Sequence, residues 1–134
     1  MTKDELRRAI LHRLDEVAVE HPAGHQGVYA ARYLMRTRQG GSVELMFQKG
    51  LNSPPNLWVV ERFVAELLDD ETFEFRRSPA SALFTTKGKD GEPNYGRHSA
   101  LKTMTQLSHA DLVCIRLSTL GELDRIIQHI ETNC

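Results

Sequence analysis

The side chains best suited to chemistry cluster between Phe75 and Thr105. This stretch carries Arg76, Arg77, Lys87, Lys89, Arg97 and Lys102 against Asp90 and Glu92. Six positive and two negative groups give it +4, in a chain whose formal net charge is -1. The rest of the chain therefore sums to -5. A basic segment with flexible glycines and an aromatic such as Tyr95 is a common build for loops that contact phosphate. At its centre lies Asn94-Tyr95-Gly96-Arg97-His98-Ser99. Arg97 has the forked geometry that grips phosphate or carboxylate. His98 can donate or accept, and Tyr95 offers a ring on which a base could stack. Ser99 is a suitable cap for a short helix to about Leu107, whose amide end would face the loop. The plain alternative is a solvated loop in which Ser99 only caps. The candidate nucleic-acid or anion site is thus Arg76, Arg77, Lys87, Lys89, Tyr95, Arg97, His98, Ser99 and Lys102.

Two further arrangements compete with it. Asn52-Ser53-Pro54-Pro55-Asn56-Leu57-Trp58 places the single tryptophan just after a double proline. If Trp58 is exposed, it makes a rigid contact for a protein partner or a second copy; otherwise it packs in the core. A small enzyme acting on an anionic substrate at Arg97 and His98 is the third reading.

Other chemistry is poorly supported. His21 and His25 have the spacing of a helical metal pair, but Pro22 and Gly24 lie between them and no third ligand is near. They read as solvated loop histidines. Asp69 and Asp70 followed by Glu74-Phe75-Arg76 resemble the carboxylate cluster of a metal-dependent nuclease only loosely. Arginine stands where a lysine would be needed, and arginine stays protonated. Phosphate-binding Gly-x-x-x-x-Gly-Lys, Gly-x-Ser-x-Gly, Cys-x-x-Cys and His-Glu-x-x-His motifs are all missing from the sequence. No metal or cofactor is expected, and no catalytic residue is assigned. Cys114 reads as a small buried hydrophobe, and Cys134 as a free terminal thiol, so the cytoplasm is the expected compartment.

The elements that must position these residues are legible to different degrees. Thr2-Lys3-Asp4-Glu5 is a capping box opening a helix with Leu6, Ile10, Leu14 and Val17 on one stripe. Pro22 should end that helix near His21. Residues 28–38 read as a strand, although Ala30-Ala31-Arg32 would also suit a helix. Gln39-Gly40-Gly41 is turn chemistry, and Ser42 to Gln48 alternates again, so the pair reads as a hairpin. Asn56 could cap a helix to about Leu68, or Leu57 to Val60 could be a short strand. Thr72 to Arg76 and Ala82 to Thr86 suggest short strands. Leu112 to Leu117 is a strand. Thr119-Leu120-Gly121-Glu122 is a second capping box, with Leu123, Ile126, Ile127 and Ile130 on its helix stripe.

Hairpin signals outnumber crossover signals. The expected class is α+β, a mostly antiparallel sheet covered by amphipathic N- and C-terminal helices. At 134 residues, 40% hydrophobic and 26% charged, the chain fits a single globular domain over residues 1–134. The longest apolar runs fall far short of the roughly 20 residues that span a bilayer. The near-neutral charge gives no global pull toward membrane or DNA. Partners are therefore expected to be nucleic acid, another phosphate-bearing ligand or a protein, and not a membrane.

Overall fold

The computed structural model describes residues 1–84 and 95–134. Its frame is α1 (Lys3–Val17), β1 (Val19–Glu20), β2 (Ala30–Arg36), β3 (Ser42–Gln48), β4 (Asn56–Val60), β5 (Glu74–Ser78), β6 (Leu112–Arg116) and α2 (Leu120–Asn133). The six strands form one antiparallel sheet in the order β1-β2-β3-β4-β6-β5. The fold is α+β, as the sequence implies. Among the described residues, no helix is long and apolar enough to cross a membrane.

Both helices begin as expected. The Glu5 amide donates to Thr2 Oγ1 and the Glu122 amide to Thr119 Oγ1, each at 3.1 Å. α1 ends sooner than Pro22 alone requires. Ala18 is extended, and Val19 and Glu20 pair with Leu34 and Tyr33 at the sheet edge. Two residues that could extend a helix instead complete backbone bonds to β2.

Strand parity divides the core in two. Odd-numbered residues such as Ala31, Tyr33, Leu45, Phe47, Leu57, Val59, Val113 and Ile115 pack against the stripes of α1 and α2. Even-numbered Ala30, Met46, Trp58, Val60, Leu112 and Cys114 face the other way, under Ala100, Leu101, Met104 and Leu107. An irregular strap at residues 95–108 thus covers part of the second face. Because β2 is buried on both faces, its alternation is blurred, which is why Ala30–Arg36 also suited a helix.

Several local expectations are corrected. Asn56 does not cap a helix: Asn56–Val60 is a central strand, followed only by 3-10 turns at Glu61–Phe63 and Leu67–Asp69. The helix from Ser99 to Leu107 is one 3-10 turn, Ser99–Leu101, capped by His98. Its apolar residues are buried as expected, but they satisfy a sheet face that a strap covers without regular helix. Of the strand expected at Ala82 to Thr86, residues 82–84 are not strand but the end of a 3-10 turn, Ala80–Ala82, and the turn after it. Thr85, Thr86, Lys87 and Lys89 lie outside the described residues.

The strap is pinned by buried charge. Arg32, only 8% exposed, donates to Thr103 Oγ1 at 2.7 Å and to the Ala100 carbonyl at 3.2 Å. It also holds the carbonyls of Ala23 and Gly24. Glu44 accepts from the amides of Gln106 and Leu107 at 2.7 and 3.1 Å. Its other oxygen lies 2.6 Å from His21 Nε2. His21 Nδ1 accepts from the Ala23 amide, so Nε2 carries the proton that Glu44 receives. His21 is therefore a buried structural group and not a solvated loop histidine.

Candidate functional site

The arginines of the basic segment do not share one surface. Alternation along β5 sends Arg76 to the strap face and Arg77 to the helix face. Arg77 Nε lies 3.2 Å from Glu61, and its guanidinium sits over Phe75. Arg97 turns inward. Its Nε donates to Ser78 Oγ, and its two terminal nitrogens reach the carbonyls of Ser78, Leu107, Ser108 and Ala110 at 2.6–3.2 Å. That network ties the end of β5 to the turn before β6. It engages every guanidinium nitrogen, leaving no fork for a ligand.

The neighbours of Arg97 are also committed. Tyr95 donates to the Ser108 carbonyl, packs against Phe84 and His109, and lies under the Lys102 ammonium. Its ring is not an open stacking platform. His98 Nδ1 accepts from the Ala100 amide, and burial pushes the imidazole below its usual pKa. It is thus held away from the cationic form an anion would favour. Ser99 accepts from the Gln26 amide group at 3.1 Å. The helix N-terminus that would have aimed at this loop is absent, because the segment makes a single 3-10 turn.

Trp58 is 3% exposed and donates through its indole nitrogen to Gln48 Oε1 at 2.9 Å. The exposed aromatic contact after the double proline is therefore not present. Trp58 stands in a central strand, paired with Cys114 of β6 and Met46 of β3.

What the fold does assemble lies on the strap face, where the strap stops. In register, Arg76 is opposite Cys114, which is opposite Trp58. One step along the strands, Glu74 is opposite Arg116, which is opposite Asn56. Arg76 and Cys114 of the first row and all three residues of the second line a cavity of about 240 Å3, together with Pro54 and Phe75. The Arg76 guanidinium lies 5.0 Å from the Trp58 ring centroid. It reaches there across β6 because the residue beneath it, Cys114, is small. Burial pushes the Cys114 thiol up to about 11, so it stays neutral and adds no negative charge. Asn56 Nδ2 donates to Gln48 Oε1 at 3.0 Å, so Oδ1 is not used in that bond. Among the described residues, neither Arg76, Arg116 nor Glu74 forms an ion pair.

Of the candidate anion-binding residues among the described residues, only Arg76 lines this groove. As candidate ligand groups, Glu74 and Asn56 enter the sequence reading only through the loose carboxylate cluster and the Asn52–Trp58 stretch respectively, while Arg116 is absent from it. A signal existed for Arg116: it is the one charge in Leu112-Val113-Cys114-Ile115-Arg116, and its parity matches Cys114. The pairing of β6 with both β4 and β5, which brings Arg116 between Asn56 and Glu74, has no local signature.

Asp70 belongs to a separate surface pairing. The Thr72 amide and the Arg125 guanidinium hold its carboxyl down at about 2. No group of three or more acidic, histidine or cysteine side chains suited to a metal occurs among the described residues. Comparison of the chain with models of known protein families, with curated proteins and with solved structures found no match.

Proposed function

We propose that this protein is a non-enzymatic binding domain whose ligand is nucleic acid or another phosphate-bearing molecule, and that it acts in the cytoplasm. The observation that carries this reading is the convergence of Arg76 and Arg116 on one cavity with no ion-pair partner among the described residues. Arginine offers five donors in a planar fork and remains charged at any working pH. An arginine without a carboxylate partner on a structured sheet face is well suited to an external anion. The cytoplasmic part is supported by the two free thiols, Cys114 and Cys134.

The groove replaces the Arg97 loop as the contact point, since Arg97, Tyr95 and His98 are engaged inside the fold. Titration of labelled single- and double-stranded oligonucleotides at two salt concentrations tests the proposal. Binding should weaken with salt, and Arg116→Ala should make the salt slope shallower by about one unit. The loss should be similar across sequences, because a phosphate contact carries no base information. No binding of either strand form at low salt would refute nucleic acid as the ligand.

A further inference from the structure

We infer that the groove between β4, β6 and β5 is a phosphomonoester site: it takes one terminal phosphate, from a small sugar phosphate or from the 5′ end of a strand, and not a run of internal phosphodiesters. This rests on the phosphate-binding reading above and narrows it.

Three observations lead to this class. The first is size. The cavity is about 240 Å3, below the roughly 300–1,000 Å3 of sites for drug-sized ligands. It has room for a phosphate and the first few carbons attached to it. The second is charge. A phosphomonoester carries about -1.5 to -2 at neutral pH, whereas an internal diester carries one negative charge. Arg76 and Arg116 both line the cavity, so a dianion can take a fork from each. The third is the lack of a track among the described residues of the basic segment. A strand bound along its length needs cations spaced along a path. Here Arg77 is on the opposite face beside Glu61, Arg97 is engaged internally, and Lys102 sits over Tyr95.

Glu74 lines the same cavity and has to be accommodated. It opposes a bare phosphate but suits an ester: its carboxylate and the Asn56 carbonyl oxygen are acceptors for hydroxyls on the carbon side of the phosphate. The lining therefore combines two cationic forks with two hydroxyl acceptors. Cys114, neutral under Arg76, contributes bulk without charge.

Trp58 gives a direct readout. It is the only tryptophan in the chain, and the Arg76 guanidinium rests 5.0 Å from its ring. A phosphate that draws Arg76 off the ring should change the emission. The experiment titrates the full chain with inorganic phosphate and ribose 5-phosphate. It then compares a short 3′-labelled oligonucleotide with and without a 5′-phosphate. The expected result is a saturable change in Trp58 emission with ribose 5-phosphate, tighter than with inorganic phosphate. The 5′-phosphorylated strand should bind about tenfold or more tightly than the hydroxyl strand.

Arg116→Gln and Arg76→Gln should each remove that preference. Both side chains are exposed, so thermal unfolding should stay near wild type, and either variant suffices if the other is unstable. Glu74→Gln should tighten inorganic phosphate and weaken the advantage of ribose 5-phosphate. Equal binding of the two strands would overturn the terminal-phosphate assignment while leaving the wider phosphate reading intact. A preference that survives both arginine substitutions would overturn the location. No binding of any probe at low salt would overturn both readings together.

Discussion

Replacing Arg97 by alanine should destabilise the fold, and the size of the loss discriminates between an internal clamp and a ligand contact. The guanidinium makes five hydrogen bonds, four of them to main-chain carbonyls. Hydrogen bonds to a charged group contribute about 1.5–3 kcal/mol each when counted alone, and neighbours do not add fully. The loss is partly offset. Ser78 Oγ can turn to water, and the Ser108 carbonyl keeps the Tyr95 hydroxyl. The carbonyls of Ser78, Leu107 and Ala110 lose a charged donor, in a site that water reaches only in part. A net loss of about 2–4 kcal/mol follows. Arg97→Lys should recover only part of it, because one ammonium cannot reach four carbonyls in fork geometry. Urea unfolding followed by Trp58 emission measures this, since Trp58 is buried in a central strand. A loss below about 0.5 kcal/mol, within the range of ordinary surface substitutions, would refute the clamp. Coupled with weaker phosphate binding, it would return Arg97 to the ligand.

Three other outcomes are expected. Ile127→Ala should cost about 2–5 kcal/mol in the same unfolding assay, because Ile127 is 6% exposed within the helix-face core; a loss under about 1 kcal/mol would remove the α2 stripe from that core. Both thiols should titrate in denaturant without reductant, and in the native state Cys134 should react well before Cys114, which is 3% exposed and pushed up to about 11; a need for reductant, or the reverse order, would contradict this. Asp70, held at about 2 in the fold against about 3.9 in an unfolded chain, stabilises the charged form. Its contribution is complete above about pH 4 and is lost as pH falls toward 2, so Asp70→Asn should flatten the acid limb of the stability curve there. Parallel limbs would refute the assignment.

The features legible in the sequence were those written in local spacing. The two capping boxes, the stripes of α1 and α2, the Ser42–Gln48 strand and the hairpin before it depend on residues within a few positions of one another. So does the burial of Ala100, Leu101, Met104 and Leu107, although the helix expected there is a strap. The hidden features depend on register between distant segments. Leu57-Trp58-Val59-Val60 satisfies both a helix stripe and a doubly buried strand, and only the pairing with β3 and β6 decides for the strand. Arg97 looked like a surface group because its acceptors are main-chain oxygens of residues 78, 107, 108 and 110. Carbonyls leave no mark on sequence. The net charge of +4 was a sound count, but strand parity splits adjacent Arg76 and Arg77 between opposite faces.

The groove exists because the second sheet face is covered only in part, and the cause lies at the far end of the sheet. Arg32 and Glu44 fix the strap over β2 and β3 through Ala100, Thr103, Gln106 and Leu107. Leu101, Met104 and Leu107 then reach Met46, Trp58 and Leu112 and no further. Beyond that row the strands turn polar, through Gln48, Asn56, Arg116 and Glu74. Trp58 sits at the boundary, with its ring under the strap's cluster and its nitrogen bonded to Gln48 in the polar row. The ring on which Arg76 rests is therefore held in place by the strap. Two buried opposite charges that touch no groove residue thus bear on the groove's geometry. Without Glu44 the amides of Gln106 and Leu107 lose their acceptor, so loss of Glu44 would loosen the Trp58 ring before it altered any group lining the cavity.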